Sequence, residues 1–262
     1  MKNTKVFLIM IAFVSLINKV HGQDVESLPI GDDYYKESGV TNSCLSLNAG
    51  LAVPTNRYSA NYGTSYRGNA ELGSALNLAA YLPFNQSNWG ASVMFGNYSN
   101  PFNVNKYAAG IQAADEGTSS TTVIQNEYEV STVMVGLCYA IPIKRFSIDL
   151  RALGGIAFSD FPEVSYSVNQ YNSGTSSINT YNWNIASSES FAGAYDIGAG
   201  LRYNFKRVRI MTNIDYLVCK PYFSSTEQYT DQVGNKSYSS LSGTIPISIL
   251  SFTAGVGYQI NY

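Results

Sequence analysis

Between Leu250 and Tyr262 every second residue is apolar: Leu250, Phe252, Ala254, Val256, Tyr258, Ile260 and Tyr262. The residues between them, Ser251, Thr253, Gly255, Gly257, Gln259 and Asn261, are small or polar. Strict alternation marks a β-strand whose two faces meet unlike surroundings. Taken alone, the stretch fits a half-buried soluble strand as well as a membrane strand. The chain ends on this strand, with an aromatic residue last, as the closing strand of a barrel would.

The same pattern recurs upstream. Ser43–Val53 sets Leu45, Leu47, Ala49, Leu51 and Val53 on one face, and Glu71–Phe84 sets Leu72, Leu76, Leu78, Ala80, Leu82 and Phe84. Trp89–Tyr98, Tyr128–Ile143, Phe146–Phe161, Ser190–Phe205 and Val208–Tyr222 follow the same rule, and Ile247–Tyr262 closes the series. These eight predicted strands are joined by connections that alternate long and short. Arg57–Ala70, Asn100–Asn126, Pro162–Glu189 and Ser224–Gly243 are long and read as polar loops. Asn85–Asn88, Lys144-Arg145 and Lys206-Arg207 are tight turns. Within the third long connection, Val164, Tyr166 and Val168, then Tyr181, Trp183 and Ile185, keep a period of two, so a hairpin is expected there. Every proline from Pro54 onward falls at or near a predicted strand end, where its missing N–H is tolerated.

The two faces separate a membrane barrel from a soluble, ligand-carrying one. A soluble barrel turns its apolar face inward. Here the bulky apolar face carries almost no charge, while the opposite face holds Asp149, Arg151, Asp196, Arg202, Arg209 and Asp215 among small residues. Small residues suit a narrow eight-stranded lumen, and an apolar face this large cannot be left in water. The fold class expected is therefore all-β: an eight-stranded antiparallel up-and-down transmembrane β-barrel with short periplasmic turns and long extracellular loops. Outward aromatics gather near both strand ends, as membrane-interface belts do. Trp89, Tyr139, Phe146, Tyr203, Phe205, Tyr258 and Tyr262 lie toward the short turns, and Phe158, Phe191, Tyr195 and Tyr216 toward the loops. From Phe146 to Phe158, at about 3.3 Å per residue and a tilt near 40°, is on the order of 30 Å, enough to bracket a bilayer.

Ahead of the barrel, Lys2 and Lys5 followed by apolar Val6–Leu16 form a secretory signal, residues 1–22, with cleavage expected before Gln23. Acidic, aperiodic residues 23–42 read as a flexible periplasmic arm, and residues 43–262 as the barrel domain. The full chain has 16 basic and 18 acidic residues, and the signal takes Lys2, Lys5 and Lys19 with it, leaving a mildly acidic balance. No basic cluster supports nucleic-acid binding. Cys44, Cys138 and Cys219 are odd in number and widely spaced, unlike a disulfide framework; strand parity turns all three toward the lumen.

The exported signal, the alternating strands, the Lys-Arg turns and the terminal strand Leu250–Tyr262 resemble the small outer-membrane barrels of the OmpA/OmpX type. They are similar in particular to the outer-membrane β-barrel domain family of Bacteroidota. That resemblance implies the outer membrane of a Gram-negative-type bacterium, with outer-membrane lipid and lipopolysaccharide as surroundings. It also implies that the barrel-assembly machinery reads the terminal aromatic strand, with Tyr258, Ile260 and Tyr262 as its signal. A periplasmic peptidoglycan-binding domain is not expected.

His21 is the only histidine and lies in the signal, so Ser-His, Asp-His and Cys-His catalysis and His-clustered metal sites are unavailable to the mature chain. No catalytic residue, metal or cofactor is expected. The lumen Asp and Arg residues, three of each, would pair and plug the interior. The expected function is then non-enzymatic, in envelope structure or in surface interaction with an extracellular ligand through Tyr-rich loops, including Tyr62, Tyr66, Tyr107, Tyr166, Tyr181, Trp183, Tyr229 and Tyr238. Two alternatives stay open: a narrow pore for ions or small solutes, and an envelope enzyme with a carboxylate-only site.

Overall fold

The structure is a computed structural model. It describes residues 43–60, 68–84, 87–114, 119–124, 126–172, 177–205 and 207–260. The signal, the arm, Tyr62, Tyr66, Lys206 and Tyr262 lie outside the described residues.

Eight strands close into an antiparallel barrel: β1 (Ser43–Pro54), β2 (Gly73–Pro83), β3 (Trp89–Asn100), β5 (Tyr128–Ile143), β6 (Phe146–Phe161), β9 (Ser188–Phe205), β10 (Val208–Cys219) and β13 (Ile247–Ile260). Each pairs with its neighbours in sequence among the eight, and β13 returns to β1, with Ser43 opposite Ile260 and Pro54 opposite Ile249. Closure leaves no open edge in the barrel. The turn between β5 and β6 is Lys144-Arg145, with Lys144 at φ 56°, the left-handed geometry that a two-residue hairpin demands.

Alternation fixes the two surfaces. Outward residues stay open: Val135 is 60 % exposed, Ile197 61 % and Phe252 42 %. Their inward neighbours Met134, Asp196 and Ser251 are buried to 2 % or less. An all-round apolar exterior over a packed interior is stable only in lipid.

The long connections depart from the polar loops expected of them. The first contains a helical turn, α1 (Asn56–Ser59), and the second contains α2 (Val104–Ala114) and β4 (Ser119–Ile124). The third forms the expected hairpin, β7 (Val164–Asn172) with β8 (Ser177–Ile185), in the register Val164↔Ile185, Tyr166↔Trp183, Val168↔Tyr181. The fourth, read as loop, forms a second hairpin, β11 (Tyr222–Thr230) with β12 (Lys236–Thr244). Together these make a five-stranded sheet in the order β12-β11-β8-β7-β4. Pro162, Pro221 and Pro246 stand between barrel strand and sheet strand, ending one ladder where the next begins. Pro221 also explains why β10 stops at Cys219, short of the Tyr222 expected.

Candidate functional site

The lumen is layered. At the turn end, Arg202 bonds Asp149, Ser147 Oγ donates to Asp149 at 2.9 Å, and the Arg202 guanidinium lies 5.5 Å from the Tyr81 ring. Arg209 is buried at this end too, opposite Gly257 and Asn204 in the register. One step up, Arg151 meets Asp215 at 2.5 Å and donates to Asn213 Oδ1 at 3.2 Å. Asn213 Nδ2 in turn donates to Asn48 Oδ1 at 3.2 Å, which carries the polar layer across to β1. So Arg151 and Arg202 each hold a carboxylate. Asp196 does not join them: it is fully buried, and neither oxygen accepts a hydrogen bond among the described residues.

Above this layer the interior is apolar, a departure from the small, polar lumen expected along its whole length. Met134, Leu153, Leu217, Ile247 and Ile249 fill it, and Tyr58, Tyr98 and Tyr128 pack among them at essentially no exposure. The signal was present in the sequence. Ile247 and Ile249 share the parity of Ser251 and Thr253, so the inward face of β13 changes from polar to apolar toward the loops. α1 delivers Tyr58 into the barrel mouth, where its ring lies 5.2 Å from Tyr128 and its hydroxyl donates to Asn100 Oδ1 at 3.4 Å. Burial pushes the Tyr58 phenol well above its ordinary pKa, so it remains a neutral donor. A side chain on Gly68 would strike the Tyr58 backbone, which is why the chain turning over it has none there.

From the mouth a chain of rings runs into the second sheet. Tyr128 stacks on Phe102, Phe102 meets Tyr107 of α2 at 5.4 Å, and Tyr107 meets Tyr166 at 5.9 Å. Tyr166 stacks on Trp183 at 5.2 Å, with planes 4° apart, and Trp183 meets Tyr229 at 5.2 Å. Edge and offset contacts of this kind add to ordinary burial. They pack the sheet against the barrel mouth, together with Phe161 on Phe223 and the Ser188 and Ser190 hydroxyls that donate to β11 carbonyls. The opposite face of the sheet is hydroxyl and amide: Ser165 and Ser167 on β7, Asn182 and Asn184 on β8, Gln228 and Thr230 on β11. Those six, with Tyr166 and Trp183 beneath, line a groove of about 230 Å³. The sequence signal for this face was the residues that alternate with Tyr166 and Trp183.

Several of the outward aromatics pair across neighbouring strands. Trp89 lies 4.8 Å from Tyr139, and Phe146 lies 5.0 Å from Tyr203, both as cross-strand pairs at the short-turn end with Phe205 and Tyr258. At the loop end Phe158 is opposite Phe191, Tyr195 is half-exposed, and Tyr216 accepts a hydrogen bond from Asn56 at 2.9 Å. Cys44, Cys138 and Cys219 are buried free thiols on the lumen side. Among the described residues no three His, Cys, Asp or Glu side chains gather as a metal site requires.

This is an eight-stranded antiparallel transmembrane β-barrel of outer-membrane type, carrying a second sheet folded from its long connections. No family model matches the sequence, and no curated protein does. Among solved structures, similarity is found to Neisserial surface protein A at 11 % identity, over 84 % of this chain and 99 % of that one, with a TM-score of 0.44. It is also found to OprG from Pseudomonas aeruginosa at 10 % identity, over 86 % and 99 %, TM-score 0.41. A major outer membrane protein from Thermus thermophilus matches at 15 % identity, over 83 % and 99 %, TM-score 0.39. At those scores the class rests on the strand pairing of this chain itself.

Proposed function

We propose that this protein is a non-enzymatic surface barrel of the outer membrane, of the OmpA/OmpX type, whose lumen is closed and whose extracellular sheet meets a partner. The observation that carries the reading is the filled cross-section. The Arg202–Asp149 and Arg151–Asp215 pairs lie under a layer of Met134, Leu153, Leu217, Ile247 and Ile249, capped by Tyr58 and Tyr128. Dispersion and burial favour that packing, and opening a path would uncover paired charges. The loops, in contrast, form a preorganised surface rich in Tyr, Ser and Asn, the composition of recognition surfaces. In the cell, outer-membrane lipid and lipopolysaccharide would surround the barrel, and the barrel-assembly machinery would insert it.

The test is planar-bilayer recording of the refolded protein. Silence is the expected outcome. Reproducible, stable single-channel steps would replace the closed barrel with the narrow-pore reading.

A further inference from the structure

We propose that the hydroxyl-and-amide groove on the extracellular sheet is a binding site for an uncharged oligosaccharide. This deepens the surface-interaction reading above and rests on it. The groove spans three strands where β8 pairs with β11, over Glu227↔Ile185 to Thr230↔Asn182. Its polar lining is Ser165, Ser167, Asn182, Asn184, Gln228 and Thr230, so no charged side chain lines it.

Each amide is pinned at one end and offered at the other. Ser167 Oγ donates to Asn182 Oδ1 at 2.6 Å, and among the described residues nothing accepts from the Asn182 amide, which leaves its hydrogens to offer. Asn184 Nδ2 donates to Ser165 Oγ at 2.8 Å and to Glu163 Oε1 at 2.9 Å, which leaves the Asn184 carbonyl oxygen as an acceptor. Gln228 Nε2 donates to Thr230 Oγ1 at 3.3 Å and likewise leaves its carbonyl oxygen. The groove therefore presents donors and acceptors side by side, in fixed positions, with no net charge. Glu163 stands at the margin, and its carboxylate is engaged by Asn184.

That inventory selects a ligand. Sugar hydroxyls are donor and acceptor at once, and match a mixed amide and hydroxyl array. An anion would meet acceptor oxygens and no cation; a lipid or apolar peptide would leave those amides and hydroxyls without partners. About 230 Å³ gives room for one pyranose ring with its neighbours lying along the strands. The aromatic stack on the reverse face, Tyr166 on Trp183, holds β7 against β8 and keeps the array in place before the ligand arrives.

The test uses the full mature protein, refolded in a detergent without a sugar headgroup and labelled with 15N. Maltotriose, cellotriose and triacetylchitotriose are titrated to about 20 mM, with a sialylated trisaccharide as the charged control. At least one neutral sugar should shift the side-chain amide signals of Asn182, Asn184 and Gln228 with saturation, and the charged control should not. Asn182→Ala with Gln228→Ala should weaken that binding at least about tenfold while the barrel keeps its heat-modifiable mobility. Thr230→Val, which keeps the side-chain shape, should weaken it should the double variant fail to fold. Still amides across the neutral panel, or shifts that survive both variants, would overturn the proposal. Channel steps would remove the closed-lumen reading and leave this groove standing, so the two failures are distinguishable.

Discussion

Arg151 and Asp215 stand on strands that do not touch, and meet across a glycine. β9 runs between β6 and β10, and the register sets Arg151, Gly198 and Asp215 in one row. A Cβ on Gly198 would lie 1.9 Å from Asp215 Oδ1 and 2.9 Å from Arg151 Nε. The glycine is the lane through which the ion pair forms. Gly198→Ala should therefore cost about 1–3 kcal/mol, the usual penalty of overpacking. Gly193, on the outward face of the same strand, has nothing within 4 Å of the corresponding position, so Gly193→Ala should be close to neutral. Urea midpoints of the refolded variants in bilayers check both; equal midpoints would contradict the row.

Asp196 is one step above that row, and its in-register neighbours are Leu153 and Leu217. Both are buried, and neither can donate a hydrogen bond. The carboxylate stands on the apolar side of the boundary between the charged layer and the aromatic cap. Asp196→Leu should thus be neutral or stabilising, by up to about 2 kcal/mol, since it removes a desolvated group without leaving a partner behind. Arg151→Leu should be the reverse, costing about 3–5 kcal/mol, because Asp215 would remain buried without its cation. Equal destabilisation by the two would mean that Asp196 has a role in the fold that its contacts do not reveal.

The barrel was legible in the sequence because lipid and lumen differ so sharply. Leu47 and Asn48, or Ile210 and Arg209, announce their faces by type alone. Where both surroundings are alike, that signal vanishes. β11 and β12 read Tyr-Phe-Ser-Ser-Thr-Glu-Gln-Tyr-Thr and Lys-Ser-Tyr-Ser-Ser-Leu-Ser-Gly-Thr, polar on both faces, and β12 is exposed along almost its whole length. Pairing, β11 with β8 and β12 with β11, and not alternation, makes them strands, and the β8 pairing is non-local information. The charge layer was half legible: parity turned all six residues inward, but which Arg meets which Asp depends on the register of β6, β9 and β10 and on Gly198 between Arg151 and Asp215.

Tyr107 links the two parts of the aromatic chain, with Phe102 on one side and Tyr166 on the other. Tyr107→Ala should loosen the β7–β8 hairpin without opening the barrel, since Phe161–Phe223 and the Ser188 and Ser190 hydrogen bonds still tie β11 to the barrel. A loss of about 2 kcal/mol of local stability corresponds to roughly thirtyfold faster amide exchange. The acceleration should appear in β7 and β8 and be absent from β5, β6 and β9. Uniform acceleration across barrel and sheet would mean that the two unfold as one unit.

The turn between β11 and β12 is organised by a single carboxylate. Asp231 Oδ1 accepts from the Val233 amide at 3.0 Å and the Asn235 amide at 2.8 Å, and Oδ2 accepts from Asn235 Nδ2 at 2.8 Å. Gly234, at φ 85°, takes the left-handed position that closes the turn. The Asn235 side chain, aided by the Asn235, Val233 and Gly234 amides, holds the Asp231 carboxyl below its ordinary range. A depressed pKa means that the ionised form belongs to the folded turn. Its contribution is fully present above the unfolded value of about 3.9 and is lost as pH falls through the lower, folded value. The Val233 and Asn235 amide resonances should therefore hold constant from pH 8 to 5 and move only below about pH 4. In Asp231→Asn, which keeps an acceptor oxygen but no titrating group, that low-pH movement should vanish. A midpoint well above pH 4 would show that the carboxylate is not what holds the turn.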